Sequence, residues 1–342
     1  MRAVVYDGFG SAPSVREVPE PTCPPGGALI RVEATGLCRS DWHGWRGHDP
    51  DIALPHVPGH EFAGRVAAVD APGWPVGERV TAPFVCACGE CPTCRRGDAQ
   101  VCERQSQPGF THWGSFADYV AIEHAAVNLI RLPEALPSVA AAGLGCRVAT
   151  AYRAVRAQGR AGPGTTLAVH GCGGVGLAAI QIAVAAGATV IGVDVSEPAL
   201  VLAEDAGAQH VIDARTGDAA AQIVALTGGG ADVSIDALGR ATTYAASLAC
   251  LRRRGRHVQV GLLAGADAAT PLDGARVIAR ELEIIGSHGL AAGDYPALLA
   301  DVIAGRIAPD RLVCRVIGLD EAPDALVAMD GPSGPGVTVI TP

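Results

Sequence analysis

The sequence predicts an α/β protein in two parts, a β-rich portion and a doubly wound portion built on a six-stranded parallel sheet. Three observations carry this. At 342 residues the chain exceeds what one ordinary core supports. Its first half consists of short β-runs broken by Pro and Gly, and from Thr165 onward apolar strands alternate with helices of ten or more residues. The glycine pattern Gly171-Cys172-Gly173-Gly174-Val175-Gly176 sits where a strand gives way to a helix.

In the first half the runs Ala3 to Tyr6, Ala28 to Ala34, Phe62 to Val69 and Arg79 to Ala82 read as strands of a compact, mostly antiparallel, barrel-like domain. Gly36 to His43 follows one run and opens a short helix. Pro58-Gly59-His60-Glu61 precedes another, which places His60 at a strand entry where rigid backbone can aim it.

In the second half six strands are expected, at Leu167 to His170, Val190 to Val193, Val211 to Asp213, Val233 to Ala237, Val258 to Gly261 and Ile284 to Gly286. The first leads through the glycine loop into a helix from Leu177 to Ala186. Gly171 permits the tight turn, Gly173 lets a pyrophosphate approach the backbone, and Gly176 lets helix and strand pack closely. The helix N-terminus adds partial positive charge beside Gly174 and Val175. Asp194 ends the second strand, where a carboxylate accepts hydrogen bonds from ribose hydroxyls and repels a 2′-phosphate. No Arg or Lys stands at Val195 to Pro198, so NAD(H) is favoured over NADP(H). A helix at Asp294 to Ile303, a strand at Val313 to Ile317, a helix at Glu321 to Met329 and a strand at Val337 to Ile340 follow, and this tail is expected to return to the first domain. The expected division is 1–147 with 290–342 as the catalytic part, and 148–289, binding the dinucleotide, with the active site in the crevice between them.

Four cysteines, Cys88, Cys91, Cys94 and Cys102, match a closed tetrahedral shell with no position left for substrate, which is the pattern of a structural zinc. Cys86 stands just outside and reads as a free thiol, or as a substitute for Cys88 in a shifted register. Cys38 and His60 have ligand types that suit a catalytic zinc, with Ser40, Asp41, His43 and Glu61 close in sequence. Such a metal needs a third strong ligand and an open fourth position. Cys146 lies in a Gly- and Ala-rich stretch and, on its own, reads as a small core residue before a ligand.

Apolar residues make up 49% of the chain and charged residues 18%, with a positive mean hydropathy, which is the composition of a densely folded globular protein. A net charge of −9 argues against nonspecific binding to nucleic acid or anionic membrane. No apolar run is long enough to span a bilayer, and the N-terminus alternates like a strand instead of reading as a signal segment. Clustered cysteines within an odd total of eleven fit thiolate ligation in a reducing compartment, so cytoplasmic residence is expected.

Taken together, these motifs resemble the zinc-containing medium-chain alcohol dehydrogenases over essentially the whole chain: Gly36 to His43, Gly59-His60-Glu61, the four-cysteine lobe, Gly145-Cys146 through Thr150, Gly171 to Gly176, and Asp194. The resemblance implies a GroES-like catalytic domain beside a Rossmann domain. It implies Cys38, His60 and Cys146 as ligands of the catalytic zinc, Glu61 as an occasional or neighbouring partner, and Asp41 steadying His60. It implies Arg39 at the cofactor pyrophosphate, Thr150 near the nicotinamide, and Trp45 and Phe84 in the substrate pocket, joined there by Trp42. The implied reaction is reversible hydride transfer between an alcohol and NAD, with zinc acidifying the hydroxyl and Ser40 and His43 passing its proton toward solvent. Alternative readings make Ser40 a helix cap and His43 a turn residue. Ala199 departs from the family, where many members carry a Lys or Arg for the ribose. His170 matches no landmark and reads as a core histidine, while His48 and His56 stay open between substrate-side and surface roles. Rival readings are a polyol, amino-alcohol or formaldehyde-type dehydrogenase, and more remotely a non-catalytic NAD(H)-binding sensor. A homo-oligomer is expected, tetramer before dimer.

Overall fold

The computed structural model describes residues 1–331, 334 and 336–342. The chain divides into two compact units, one of Met1–Ala149, Gly289–Ile303 and Pro309–Pro342, the other of Thr150–His288 and Ala304–Ala308.

The first unit begins with β1 (Arg2–Val5) and β2 (Ser14–Glu17), an antiparallel pair, followed by β3 (Ala28–Leu37), β4 (Phe62–Val69), β5 (Arg79–Thr81), β6 (Tyr119–Ile122) and β7 (Ile130–Arg131). The chain then supplies β8 (Thr166–His170), β9 (Thr189–Asp194), β10 (His210–Asp213), β11 (Ala231–Asp236), β12 (Leu251–Gln259) and β13 (Glu283–Gly286) to the second unit. It returns with β14 (Val313–Gly318) and β15 (Val337–Thr341). The large sheet of the first unit runs β14-β15-β3-β4-β5-β7, with β6 paired to β3. All its pairings are antiparallel except β14 with β15. The tail pairs with this sheet, Thr338 opposite Leu37 and Ile340 opposite Thr35.

Alternation along β3 explains its burial: Ala28, Ile30, Val32 and Ala34 face inward, while Arg31 faces water. Ala28, Ile30 and Val32 pack with Phe62, Val66, Val80, Val120 and Ile122 into one core. Each large side chain buried there contributes roughly 1.5–3 kcal/mol. A second core under the helix Arg39–Trp45 joins Tyr6, Trp45, Phe116, Leu319 and Leu326.

The sheet of the second unit has the order β10-β9-β8-β11-β12-β13, every pair parallel. In strand-of-origin terms this is 3-2-1-4-5-6, and the order reverses between β8 and β11. Leu167, Ala168 and Val169 are fully buried because helices cover both faces. The strands start within two residues of expectation except β12, which begins at Leu251 instead of Val258. After Leu251 it carries Arg252, Arg253 and Arg254, and the register against β11 breaks between Ala231 and Val233, with Arg254 at φ 59. The charged bulge hides this start from a hydrophobicity reading. Among the described residues no helix is long and apolar enough to cross a membrane.

Candidate active site

Cys38, His60 and Cys146 converge. Their ligand atoms lie within 4.8 Å of one another, and all three residues are buried. Cys38 stands where β3 ends and the helix Arg39–Trp45 begins, so its position is fixed by the sheet on one side and the helix cap on the other. His60 precedes β4, and Cys146 sits between the turn Gly143–Gly145 and the helix Arg147–Arg153.

Asp41 ties two of these elements together. Its Oδ2 accepts the Cys38 N–H at 2.8 Å, and its Oδ1 accepts from Gly59 N at 3.0 Å and from His60 Nδ1 at 3.0 Å. With Nδ1 committed as donor, the lone pair of His60 is on Nε2, and that atom is buried with no hydrogen-bond partner. A buried orphan acceptor aimed at two sulfurs is what a zinc ligand requires, so the residues fit the metal. The local charge agrees. Burial opposes protonation of His60, yet Asp41 and the Cys38 sulfur lift its pKa well above the usual imidazole range. The Cys38 thiol is held well below its ordinary value by the hydrogen bond from Cys146, against burial and with help from His60. Cys146 is raised well above it by the same Cys38 hydrogen bond and by burial.

Glu61 stands outside that trio. Its Oε1 accepts the Arg147 backbone N–H at 2.6 Å and its Oε2 pairs with the Arg147 guanidinium, both side chains being buried. Burial raises the Glu61 carboxyl while Arg147 opposes that rise. The ring of His60 is walled by Phe110, at 5.1 Å between centroids, and by Phe84, edge-on at 6.1 Å.

The four-cysteine lobe is equally well formed. Sulfur separations are 3.4 Å for Cys91 and Cys94, 3.7 Å for Cys91 and Cys102, and 3.5 Å for Cys88 and Cys102. A disulfide needs about 2.05 Å, whereas zinc with sulfur at about 2.3 Å sets tetrahedral neighbours about 3.8 Å apart. Backbone N–H groups of Cys88, Cys94 and Arg104 point at these sulfurs. Such donors, chiefly the one from Glu90, lower Cys88 to about 6, while burial and the neighbouring sulfurs push Cys94 up to about 12. Cys86 is separate: it is buried, raised to about 12 by desolvation, and close to the Pro83 carbonyl.

In the second unit β8 delivers the loop Gly171 to Gly173, and the helix Gly174–Ala185 starts beside it. A Cβ on Gly176 would fall 1.8 Å from the Gly171 carbonyl oxygen, so only glycine allows this approach. Asp194 is pinned to the loop: Oδ2 accepts from Cys172 N at 2.7 Å, and Oδ1 from Val195 N at 2.7 Å and Ser196 N at 2.9 Å. Three of about four acceptor positions are filled, leaving room for one hydroxyl.

Comparison with known proteins decides the family. Residues 24–134 match the alcohol dehydrogenase GroES-like domain, and residues 174–304 match the zinc-binding dehydrogenase domain. An NAD-dependent alcohol dehydrogenase of Sulfurisphaera tokodaii is 35% identical with 100% of each chain covered. The chain is a zinc-type medium-chain alcohol dehydrogenase by family. A solved alcohol dehydrogenase from a Thermus species superposes with a TM-score of 0.90 at 33% identity, covering 100% of this chain and 99% of that one. A D-arabitol-phosphate dehydrogenase of Enterococcus avium is 34% identical over 86% of this chain and 84% of its own length.

Ser40 and His43 are three apart on one short helix and so share a face, with Ser40 Oγ 3.7 Å from Cys38 Sγ. Arg39 bonds the Met329 carbonyl and stacks on Trp42 at 4.2 Å. Thr150 is buried with an unpartnered Oγ1. Trp45 is 3% exposed and gives its indole N–H to the Ser11 carbonyl at 2.6 Å, which makes it part of the core under the helix. His56 is buried and bonded to the Gly109 carbonyl at 2.8 Å, and His170 is buried against Cys250. The sequence reading did not find Phe110, which lies 50 residues from His60 with no marker, nor Arg147. Arg147 had a signal, since opposite charges directly follow two ligands, as His60-Glu61 and Cys146-Arg147.

Proposed function

We propose that this protein is an NAD-dependent zinc alcohol dehydrogenase that interconverts a primary or secondary alcohol with its aldehyde or ketone. The observation that carries the reading is the buried convergence of Cys38, Cys146 and the orphan Nε2 of His60, a three-ligand set that leaves a fourth position for substrate. Family membership supports it, because relatives matching the full length are named NAD-dependent alcohol dehydrogenases.

Cys38, His60 and Cys146 would hold a zinc that would supply Lewis acidity, and Gly171 to Gly176 would hold the NAD that would supply hydride exchange. The chain's own groups do the rest. Asp41 fixes the His60 tautomer and orientation. Ser40 accepts the hydroxyl proton at Oγ as its own Oγ–H proton departs toward His43, on the same helix face, which carries it away from the reacting carbon. Phe84 and Phe110 keep water from the His60 side. Phe84 and Trp42 favour hydrophobic or aromatic substrates, whereas the packing of Trp45 gives it a supporting place behind that wall. Arg39 and Thr150 are assigned to the pyrophosphate and nicotinamide, and Asp194 to the adenosine ribose, favouring NAD over NADP. Glu61, tied to Arg147, is assigned as a neighbour that stabilises the centre without ligating it. A second zinc belongs to Cys88, Cys91, Cys94 and Cys102.

We assign 1–147 and 290–342 to the zinc sites and substrate, and 148–289 to NAD. Cytoplasmic residence is supported by eleven free cysteines, and a homo-oligomer, tetramer before dimer, by the family resemblance. Light scattering tests the latter. A polyol dehydrogenase is the second reading, favoured by the likeness to the Enterococcus enzyme and opposed by the cysteine at Cys146. Turnover of benzyl alcohol, sorbitol and threonine with NAD and NADP, followed by nicotinamide absorbance, separates the readings. Two zinc ions per chain are expected. Cys38→Ala should lose turnover while keeping NAD binding, and unchanged turnover would refute the assignment.

A further inference from the structure

We propose that His48 takes the proton one step beyond His43, so that two directly bonded imidazoles connect the reaction side to solvent. The inference rests on the Ser40 and His43 assignment and extends it to a residue outside the family motif as matched here.

The pairing follows from how the helix Arg39–Trp45 ends. Gly47 N bonds the Gly44 carbonyl at 2.9 Å, and His48 N bonds the His43 carbonyl at 2.9 Å. These two bonds make a Schellman termination, whose left-handed position is Gly47 at φ 75. A Cβ there would meet Phe9 Cγ at 2.9 Å as well as an unfavourable backbone, so glycine is required twice over. Such an ending brings the side chain just past it onto the side chain three positions before the cap, ordinarily as an apolar contact. Here the two positions are both histidine, and Nδ1 of His43 lies 2.9 Å from Nδ1 of His48.

Trp42 holds the pair in place. Its ring meets both imidazoles edge-on, at 4.9 and 5.7 Å between centroids. The indole is itself fixed by Asp330, 2.8 Å from Nε1, and by the Arg39 guanidinium over its face. Charged groups near the pair are therefore Arg39 and Asp330 through Trp42, Arg46 paired with Asp330, and Asp49 and Asp51 in the loop after His48. His43 is half-buried, whereas His48 is exposed. The exposed ring is the one able to exchange protons with buffer.

A neutral imidazole has one donor and one acceptor nitrogen, so an Nδ1 to Nδ1 bond requires opposite tautomers on the two rings. With His43 as the Nδ1–H donor, a proton arriving at its Nε2 forms an N–H bond there. The His43 Nδ1–H bond breaks and that proton passes to Nδ1 of His48. The Nε2–H bond of His48 then breaks and its proton leaves to water. One proton has entered and one has left, and both rings end neutral with tautomers exchanged, which is the arrangement needed for carbonyl reduction. The pair resets between turnovers when His48 Nε2 takes a proton from water, the Nδ1 proton passes back to His43, and the Nε2 proton of the half-buried His43 leaves to water. His48 is thus a relay residue acting through His43.

The test uses the full-length, zinc-loaded protein. Proton release to a pH indicator is followed in a single turnover with NAD and benzyl alcohol, for wild type, His48→Ala, His48→Asn and His43→Gln. Asparagine keeps a hydrogen-bonding group where Nδ1 was but cannot relay a proton. Both His48 variants should release the proton roughly tenfold more slowly in dilute buffer, a modest part of what positioned acid–base groups supply, and added imidazole should restore the rate. His48→Asn at the wild-type rate, or slowing that imidazole does not relieve, overturns the inference. If His43→Gln is slow while both His48 variants are normal, only the extension fails; if His43→Gln is normal, the underlying relay fails with it. A readout independent of turnover is histidine-selective nitrogen NMR. His43 should titrate in two coupled steps in wild type and in one step in His48→Asn, and a single step in both would also overturn the proposal.

Discussion

Asp41 shows how much one side chain settles at the metal centre. Its two oxygens accept three N–H groups, from Cys38, Gly59 and His60. In Asp41→Asn the amide nitrogen must face one of those donors whichever way it turns, and the negative charge behind His60 is lost. Zinc at the three-ligand site should then be released roughly 10–100-fold more readily. Release to a chromogenic chelator reads this, and the zinc of the four-cysteine lobe should leave at its wild-type rate. Equal loss from both sites would show general unfolding instead. Arg147 and Glu61 call for a different test, because both are buried and each compensates the other. Arg147→Leu should cost about 3–5 kcal/mol by stranding a buried carboxylate, and adding Glu61→Gln should recover part of that. Denaturant midpoints of the single and double variants check it, and full additivity would mean that the pair is not coupled. Ligand types and their spacing were legible at this scale because zinc chemistry restricts them narrowly. Phe110 and the inward packing of Trp45 were not, since aromatic contacts depend on tertiary distances that carry no sequence period.

At the scale of elements, the parallel sheet was legible for a physical reason. Strands covered on both faces must be apolar throughout, and Leu167 to Val169 or Val190 to Val193 offer no other reading. The start of β12 was not legible, because a bulge carrying three arginines breaks the pattern that marks its neighbours. The glycine loop was legible because sterics dictate it, and this gives a sharp expectation. Gly176→Ala places a methyl group 1.8 Å from the Gly171 carbonyl, a backbone atom that no rotamer change can relieve. Helix and loop must separate, at about 1–3 kcal/mol of stability, and the Asp194 bond to Cys172 N should loosen with them. NADH fluorescence titration should show binding weakened more than tenfold with the zinc content unaltered. Binding at wild-type strength would mean that the loop is not where the cofactor sits.

Across the whole molecule, both units contain histidines kept neutral by burial. Desolvation lowers His56 and His112 in the first unit and His257 in the second, and it lowers His170 to about 3, with His257 contributing. None of these marks a reactive site; His170, beside the glycine loop, is a core residue against Cys250. Their common effect is on stability. Above pH of about 6.5 neither the folded nor the unfolded chain protonates these rings, so they contribute no pH dependence. Below it the unfolded chain binds protons that the folded one refuses, and stability falls as pH falls. For His170 the window runs from about 6.5 down to about 3, with a slope near 1.4 kcal/mol per pH unit inside it. Replacing the ring with a group that does not titrate removes that slope, whatever it costs in packing. Denaturant unfolding of wild type and His170→Asn, both with saturating zinc, should therefore give stabilities that converge as the pH is lowered from about 6.5 toward 4. Acid effects at the cysteine ligands are common to both proteins and cancel in the difference. Parallel curves would mean that His170 is protonated in the folded state, and that the contact with Cys250 is not the dry one seen here.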